Sequence, residues 1–228
     1  MAFANKGELK TAISEYAARS NASFLNKIDS FIALGEHRMQ FGTGQPFPSK
    51  PLRTKSQERL ALLTTDASFQ ITLPPDLLEI RAIYQNVSPN TGMNRLVFIE
   101  PLEFFANQVQ QVTGGRPINY TIIGKAEDAG LSEGLVQVQP GAEGIELGLL
   151  YFTKIDPLVN DTDTNWILSN HPGLYLQGSL TEAFYYMRNG QMADSSFKYY
   201  SSMADGLKIT EERSRRQGAV LSPRFSVQ

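Results

Sequence analysis

Apolar positions recur at helical spacing near both ends of the chain and at alternate positions through its middle. The strongest stripe is Leu176, Leu180, Ala183, Phe184 and Met187, which line up on one side of a helix. Pro172 suits the first turn of that helix, where its missing N–H and fixed φ cost little, so residues 166–169 are predicted as a separate short turn before it. Arg188-Asn189-Gly190 offers residues that accept the left-handed stop of a helix. A second helix then folds back over residues 191 to 216, with Phe197, Tyr200, Met203 and Leu207 on one face. At the other end, Asn5 and Glu8 have capping-box spacing ahead of Leu9, Ala12, Ile13, Tyr16 and Ala17. Phe24, Ile28, Phe31, Ile32 and Met39 predict a further helix that stops near Gly42.

Between these ends the period changes to two. Ala67, Phe69, Ile71 and Leu73 alternate with Ser68, Gln70 and Thr72 and predict a half-buried strand closed by Pro74-Pro75. Further strands are predicted over residues 79–85, 95–99, 118–123, 135–139 and 145–155, separated by Asn90-Thr91-Gly92, Gly114-Gly115 and Pro140-Gly141. Pro101 opens a helix that interrupts them and runs to about Gln111. The class is therefore α+β: a four-helix bundle formed by N- and C-terminal helical hairpins, with an inserted antiparallel β region, a meander or small sandwich. The segments are 1–50 for the first hairpin, 51–157 for the insertion, 158–216 for the second hairpin and 217–228 for an extended tail.

Composition narrows the function classes. With 228 residues and 41% hydrophobic content the chain can bury a core, and no apolar run reaches the length of a membrane span, so no membrane partner is expected. MAFANKGELK lacks the apolar centre of a signal peptide, which predicts synthesis in the cytoplasm. The absence of cysteine removes disulfides, thiolate metal sites and cysteine nucleophiles. A net charge of −2 provides no overall basic field for nucleic acid.

Chemistry-bearing motifs are sparse. His37 and His171 are the only imidazoles, and His171 stands at a helix entrance, a structural position. Asp161, Asp163 and Asn165 resemble the opening of a calcium loop, but Trp166 occupies the position that needs glycine and Pro172 the one that needs glutamate, so a helix cap is expected instead. No nucleophile elbow, phosphate loop or zinc-protease helix occurs, and neither a catalytic residue, a cofactor nor a metal is predicted. Trp166 reads as a core anchor. Tyr185, Tyr186, Tyr199 and Tyr200 exceed what a helical hairpin needs for its own core and are predicted at a subunit interface.

Three stretches carry a resemblance to a known family. NWILSNHPGLYLQGSLTEAF, starting at Asn165, is similar to the Asn-Trp-Leu-Leu, His-Pro and Leu-Tyr-rich pattern of the head-tail adaptor (connector) proteins of tailed bacteriophages. FIALGEHRM resembles the second helix of that family, with Glu36 and Arg38 two apart, and ITLPPDLLEIRAIY resembles its Leu-Pro-x-Asp-Phe-Leu segment. Gly35, where alanine is usual, and a longer basic end from Arg213 onward depart from the pattern. The resemblance implies a structural virion protein rather than an enzyme. It implies a dodecameric ring in the neck between capsid and tail that docks on the portal protein, continues the DNA channel with only passive contact to the genome, and presents a surface for tail (nozzle or tube) proteins. An alternative of another class is a cytoplasmic enzyme or carbohydrate-acting tail component built on the β region.

The tail, QGAVLSPRFSVQ, alternates apolar and polar residues without a hairpin partner. Such an end either frays or adds as a strand to another protein's sheet. In the second case Val220, Leu221, Phe225 and Val227, with the basic Arg216 and Arg224, are the residues predicted to bind the portal.

Overall fold

The structure, a computed structural model, describes residues 3–85, 94–106, 115–124, 134–141 and 143–216. In chain order its helices are α1 (Lys6–Tyr16), α2 (Ala22–Leu25), α3 (Ile28–Phe41), α4 (Pro101–Ala106), α5 (Trp166–Asn170), α6 (Pro172–Tyr186) and α7 (Gly190–Arg216). The strands are β1 (Glu58–Thr64), β2 (Gln70–Thr72), β3 (Leu77–Gln85), β4 (Asn94–Arg95), β5 (Val97–Phe98), β6 (Asn119–Ile123), β7 (Leu135–Gln139) and β8 (Glu146–Thr153). The chain divides into two compact units, a helical one made of Met1–Ser56 with Ile155–Gln228 and a β unit, Gln57–Lys154. Leu52 and Ile155 are buried in the helical core, which is why that unit takes flanking residues that the strand pattern had assigned to the insertion.

Capping chemistry starts α1 as its sequence predicts. Asn5 Oδ1 accepts from the Glu8 N–H at 3.0 Å, and Glu8 Oε2 accepts in return from the Ala4 N–H at 2.8 Å. The predicted second helix is broken after Leu25, at Asn26 and Lys27, into α2 and α3, and Gly42 ends α3 at φ 74. After α6, Arg188 rather than a glycine takes the left-handed position, at φ 57.

The architecture of the helical unit is not the simple four-helix bundle expected. Among the described residues six helices belong to it, and α6 packs against α1, α3, α5 and α7 as their common centre. The reason lies in the composition of α6. Leu174, Tyr175, Leu176, Gly178, Ser179, Leu180, Thr181, Ala183 and Phe184 are all buried, so it has apolar or small residues on nearly every side rather than one stripe. A helix of that kind is stable only when surrounded. Met203, predicted on the core face of α7, is exposed, and Ala193, Ser196, Tyr200, Ala204 and Leu207 form that face instead.

In the β unit, two four-stranded sheets run β1-β8-β3-β4 and β2-β7-β6-β5. Ile71, Ile83, Val136, Val138, Leu147 and Leu149 share one core. The chain crosses between the sheets at Leu96, which is buried and donates its N–H to Ile83 O before Val97 donates to Ile118 O. Predicted residues 95–99 are thus split between both sheets. The expected all-antiparallel pairing fails at β5 and β6, which run parallel. The predicted strand over residues 67–73 shrinks to β2, because Asp66 Oδ1 accepts from the N–H groups of Ser68 and Gln70 and Phe69 turns at φ 63. Strand β1 has no counterpart in the predicted set, since its run Leu60-Ala61-Leu62-Leu63 does not alternate, even though Leu60 and Leu62 point outward.

Candidate functional site

Two of the three stretches that gave the chain its resemblance converge in the helical unit, and the third, ITLPPDLLEIRAIY, contributes to β2 and β3 of the β unit. Asn165 caps α5 by accepting from the Leu168 N–H at 3.0 Å, and its amide nitrogen donates to Asp156 O at 2.7 Å and to the Tyr175 hydroxyl at 2.5 Å. That hydroxyl donates to Glu36 Oε1 at 3.1 Å, and the same oxygen accepts from the Leu158 N–H at 2.9 Å. One chain of hydrogen bonds therefore ties the start of α5, the first turn of α6 and the middle of α3 to the return of the chain at residues 156–158. Burial raises the Glu36 carboxyl above its usual range, opposed by its bonds from Leu158 and Tyr175 and by the Lys6 charge.

This arrangement carries a pH dependence whose sign is definite. A carboxyl with a raised folded pKa contributes stability that is complete below its ordinary value and lost as pH rises through the raised one. Glu36→Gln keeps an acceptor for Leu158 but cannot ionise. Urea unfolding from about pH 4 to about pH 7 should show the variant gaining on the parent as pH rises; parallel stability curves for the two would contradict the burial argument.

Two residues further along α3, Arg38 forms a second buried group. It pairs with Glu182 of α6, and its Nη1 donates to Phe47 O at 3.0 Å and to Thr43 Oγ1 at 3.3 Å. Its guanidinium lies 5.7, 5.4 and 5.9 Å from the ring centroids of Phe47, Phe197 and Tyr200. Spacing two apart on a helix sends Glu36 and Arg38 to different neighbours, one to Tyr175 of α6 and the chain at Leu158, the other to Glu182 of α6 and the aromatic rings of α7. Both groups find their charged or hydrogen-bonding partners inside the fold, with only Arg38 Nε left without one among the described residues, so their chemistry positions helices.

The other sequence candidates resolve along the same lines. Asp163 accepts from the N–H groups of Val159 and Asn160, and Asp161 pairs with Lys10 at 3.0 Å. Among the described residues no group of three or more His, Cys, Asp or Glu could hold a metal ion. His171, at the entrance of α6, makes no side-chain cap bond. Its ring stands edge-on to Trp166, 6.3 Å between centroids, and burial holds the imidazole below its usual pKa against the pull of Glu211. Trp166 itself is partly buried against the helical core.

The exposed chemistry of the helical unit is aromatic. Tyr185, Tyr186 and Tyr199 are 55%, 52% and 63% exposed, whereas Tyr200 is 1% exposed and belongs to the core, stacked on Phe197. The expectation of an interface role for Tyr200 is thus corrected: its position on α7 turns it inward, beneath Arg38. Tyr185 leans edge-on against Phe47, and Tyr186 packs at a tilt against Phe31. Beside them lies a groove of about 670 Å³ lined by Phe31, Leu34, Tyr185, Tyr186 and Arg188. Leu34, half exposed, was missed because it falls off the apolar stripe of α3, and no periodicity marks it. Arg216 is the last residue of α7, and its side chain, with Val220, Leu221, Arg224, Phe225 and Val227 of the tail, lies outside the described residues.

What the described geometry provides is an apolar core braced by polar groups that join α3, α5 and α6, and an outer groove beside exposed tyrosines. Among the described residues no helix is long and apolar enough to cross a membrane. No curated protein matches the chain. A family model does, along residues 4–224, and the chain belongs to the SU10 adaptor protein family, a family of phage head–tail adaptors.

Proposed function

We propose that this chain is a subunit of a dodecameric adaptor ring that docks below the portal protein in the neck of the virion, continues the DNA channel and offers a lower surface to tail (nozzle or tube) proteins. The observation that carries this reading is the family match over nearly the whole chain, on a helical unit whose motif residues brace the helices behind an exposed aromatic groove. A ring needs two different faces on each subunit, because its contacts run head to tail around the axis. Tyr185, Tyr186 and Leu34 supply one face, and the outward side of α7, with Met192, Tyr199 and Met203, supplies another. Contact with the genome in the channel is passive and independent of sequence. Anisotropy measurements at physiological salt should find weak duplex binding with no preferred site, and a reproducible preference for one sequence would contradict it.

The tail anchors the ring on the portal in this reading. Residues 217–228 alternate as a strand that adds to a sheet edge of the partner, with Leu221 and Phe225 in pockets and Arg216 and Arg224 against acidic surface. Deleting residues 217–228 is expected to lower capture by immobilised portal at least tenfold while the helical unit melts unchanged. Equal capture by the full and shortened chains would remove the anchor. Conversion of candidate glycans by a chain that stays monomeric beside its portal would favour a carbohydrate-acting component and sink the adaptor reading.

A further inference from the structure

A cleft of about 340 Å³ in the helical unit has Ser49 and Lys50 of the connection after α3 on one side and Tyr200, Ser201, Asp205 and Lys208 of α7 on the other. Ser201, Asp205 and Lys208 follow one another at four- and three-residue steps, which places them along one side of α7. The cleft gathers two ammonium groups and one carboxylate, so one positive charge is left without a counter-charge among its lining residues. Burial holds the Lys208 ammonium below its usual pKa against the pull of Asp205, and the neighbouring Lys50 adds a smaller push in the same direction as burial.

The remaining polar side chains are hydroxyls, each able to donate one hydrogen bond. Ser49 shares its hydroxyl with Thr43 at 3.0 Å, and Ser201 is half-buried on α7. Tyr200 is buried, and its hydroxyl has no hydrogen-bond partner among the described residues. Burial pushes that hydroxyl up to about 12, so it remains a neutral donor at physiological pH. A donor-rich, half-open cleft with surplus positive charge fits an oxyanion that carries several acceptor oxygens. Lysines, as mobile point charges, suit a phosphate, whereas a planar carboxylate is matched best by the fork of an arginine.

We propose that this cleft is a phosphate-binding site in which the Lys50 and Lys208 ammonium groups flank the anion and the Ser201 hydroxyl donates to it. The phosphate comes from a nucleic-acid backbone or is free in solution. The inference does not depend on the adaptor reading, and portal capture remains a separate measurement, so either can fail alone.

The experiment titrates inorganic phosphate into the full chain at constant ionic strength, followed by amide NMR. One saturable site is expected, with shifts at residues of the 48–50 connection and of α7 around Lys208. Lys50→Gln and Lys208→Gln should each weaken it at least tenfold, while Lys27→Gln, on the turn between α2 and α3, leaves it unchanged. Lys50→Gln should keep the parent melting midpoint or exceed it, since it removes a like charge beside Lys208. A short DNA duplex that displaces the phosphate assigns the source to nucleic acid, and one that does not assigns it to the free ion; both support the site. Absence of saturable binding, equal affinity for acetate, or undiminished binding in both lysine variants would overturn it.

Discussion

Replacing Arg38 by alanine is expected to destabilise the helical unit by about 3–5 kcal/mol, the usual consequence of stranding the partner of a buried ion pair. The reasons are specific. Glu182 of α6 would lose its cation while largely buried, Phe47 O would lose a donor, and three aromatic rings would lose the guanidinium they surround. Arg38 Nε already has no partner among the described residues, so the pair is an imperfect stabiliser whose loss hurts chiefly through the charge left behind. The double substitution Arg38→Met with Glu182→Leu should therefore recover most of the stability, because it removes both charges and keeps the volume. Chemical unfolding of the three proteins measures it. A single variant as stable as the parent would mean that Arg38 is not the brace between α3, α6 and the connection at Phe47.

A second large effect concerns assembly. Tyr185→Ser combined with Tyr199→Ser is expected to reduce the occupancy of rings on the portal at least tenfold, since an exposed tyrosine at the centre of an interface commonly contributes about 2 kcal/mol or more. Both side chains are more than half exposed, so the isolated chain should lose little stability, mainly the edge contact of Tyr185 with Phe47. The pair of readouts separates the two roles. Unchanged occupancy with unchanged melting would show that the groove and the outer side of α7 do not meet between neighbours. Rings that form on portal but not in the isolated chain are expected as well. Each lateral contact has to offset an association cost of about 4–15 kcal/mol, and a template lowers it.

Much of this fold was legible in the sequence, for reasons that individual residues make plain. The Asn5 cap, Pro172 at the head of α6, Asn165 before α5 and the stop after Met187 are local devices, set by which neighbour a side chain or a backbone torsion can reach. Periodicity also located most strands. It failed where tertiary context decides. Leu60 to Leu63 show no alternation, and the residues on either side of Leu96 belong to two sheets, a division that only the core around Leu96 enforces. Phe69 fitted the alternation of a strand but takes a left-handed turn held by Asp66.

The candidate site was legible in part. Glu36, Arg38, Asn165 and Tyr175 stood within the stretches that resemble the adaptor family, yet their spacing in the chain does not reveal that three of them share one chain of hydrogen bonds. Tyr200 could not be told from Tyr199 by composition. One step along α7 turns a side chain by about 100°, enough to separate the core from the surface. Lys50 and Lys208 carried no signal at all, because a cleft between a connection and a distant helix leaves no pattern along the chain.

The central claim, that this chain caps a portal as a ring, is tested most directly by mixing it with its purified portal and imaging the particles by electron microscopy. A second ring is expected, coaxial with the portal and attached at one end, with twelvefold symmetry and an open channel. Bare portal rings beside free chain, at concentrations well above those used for capture, would contradict it.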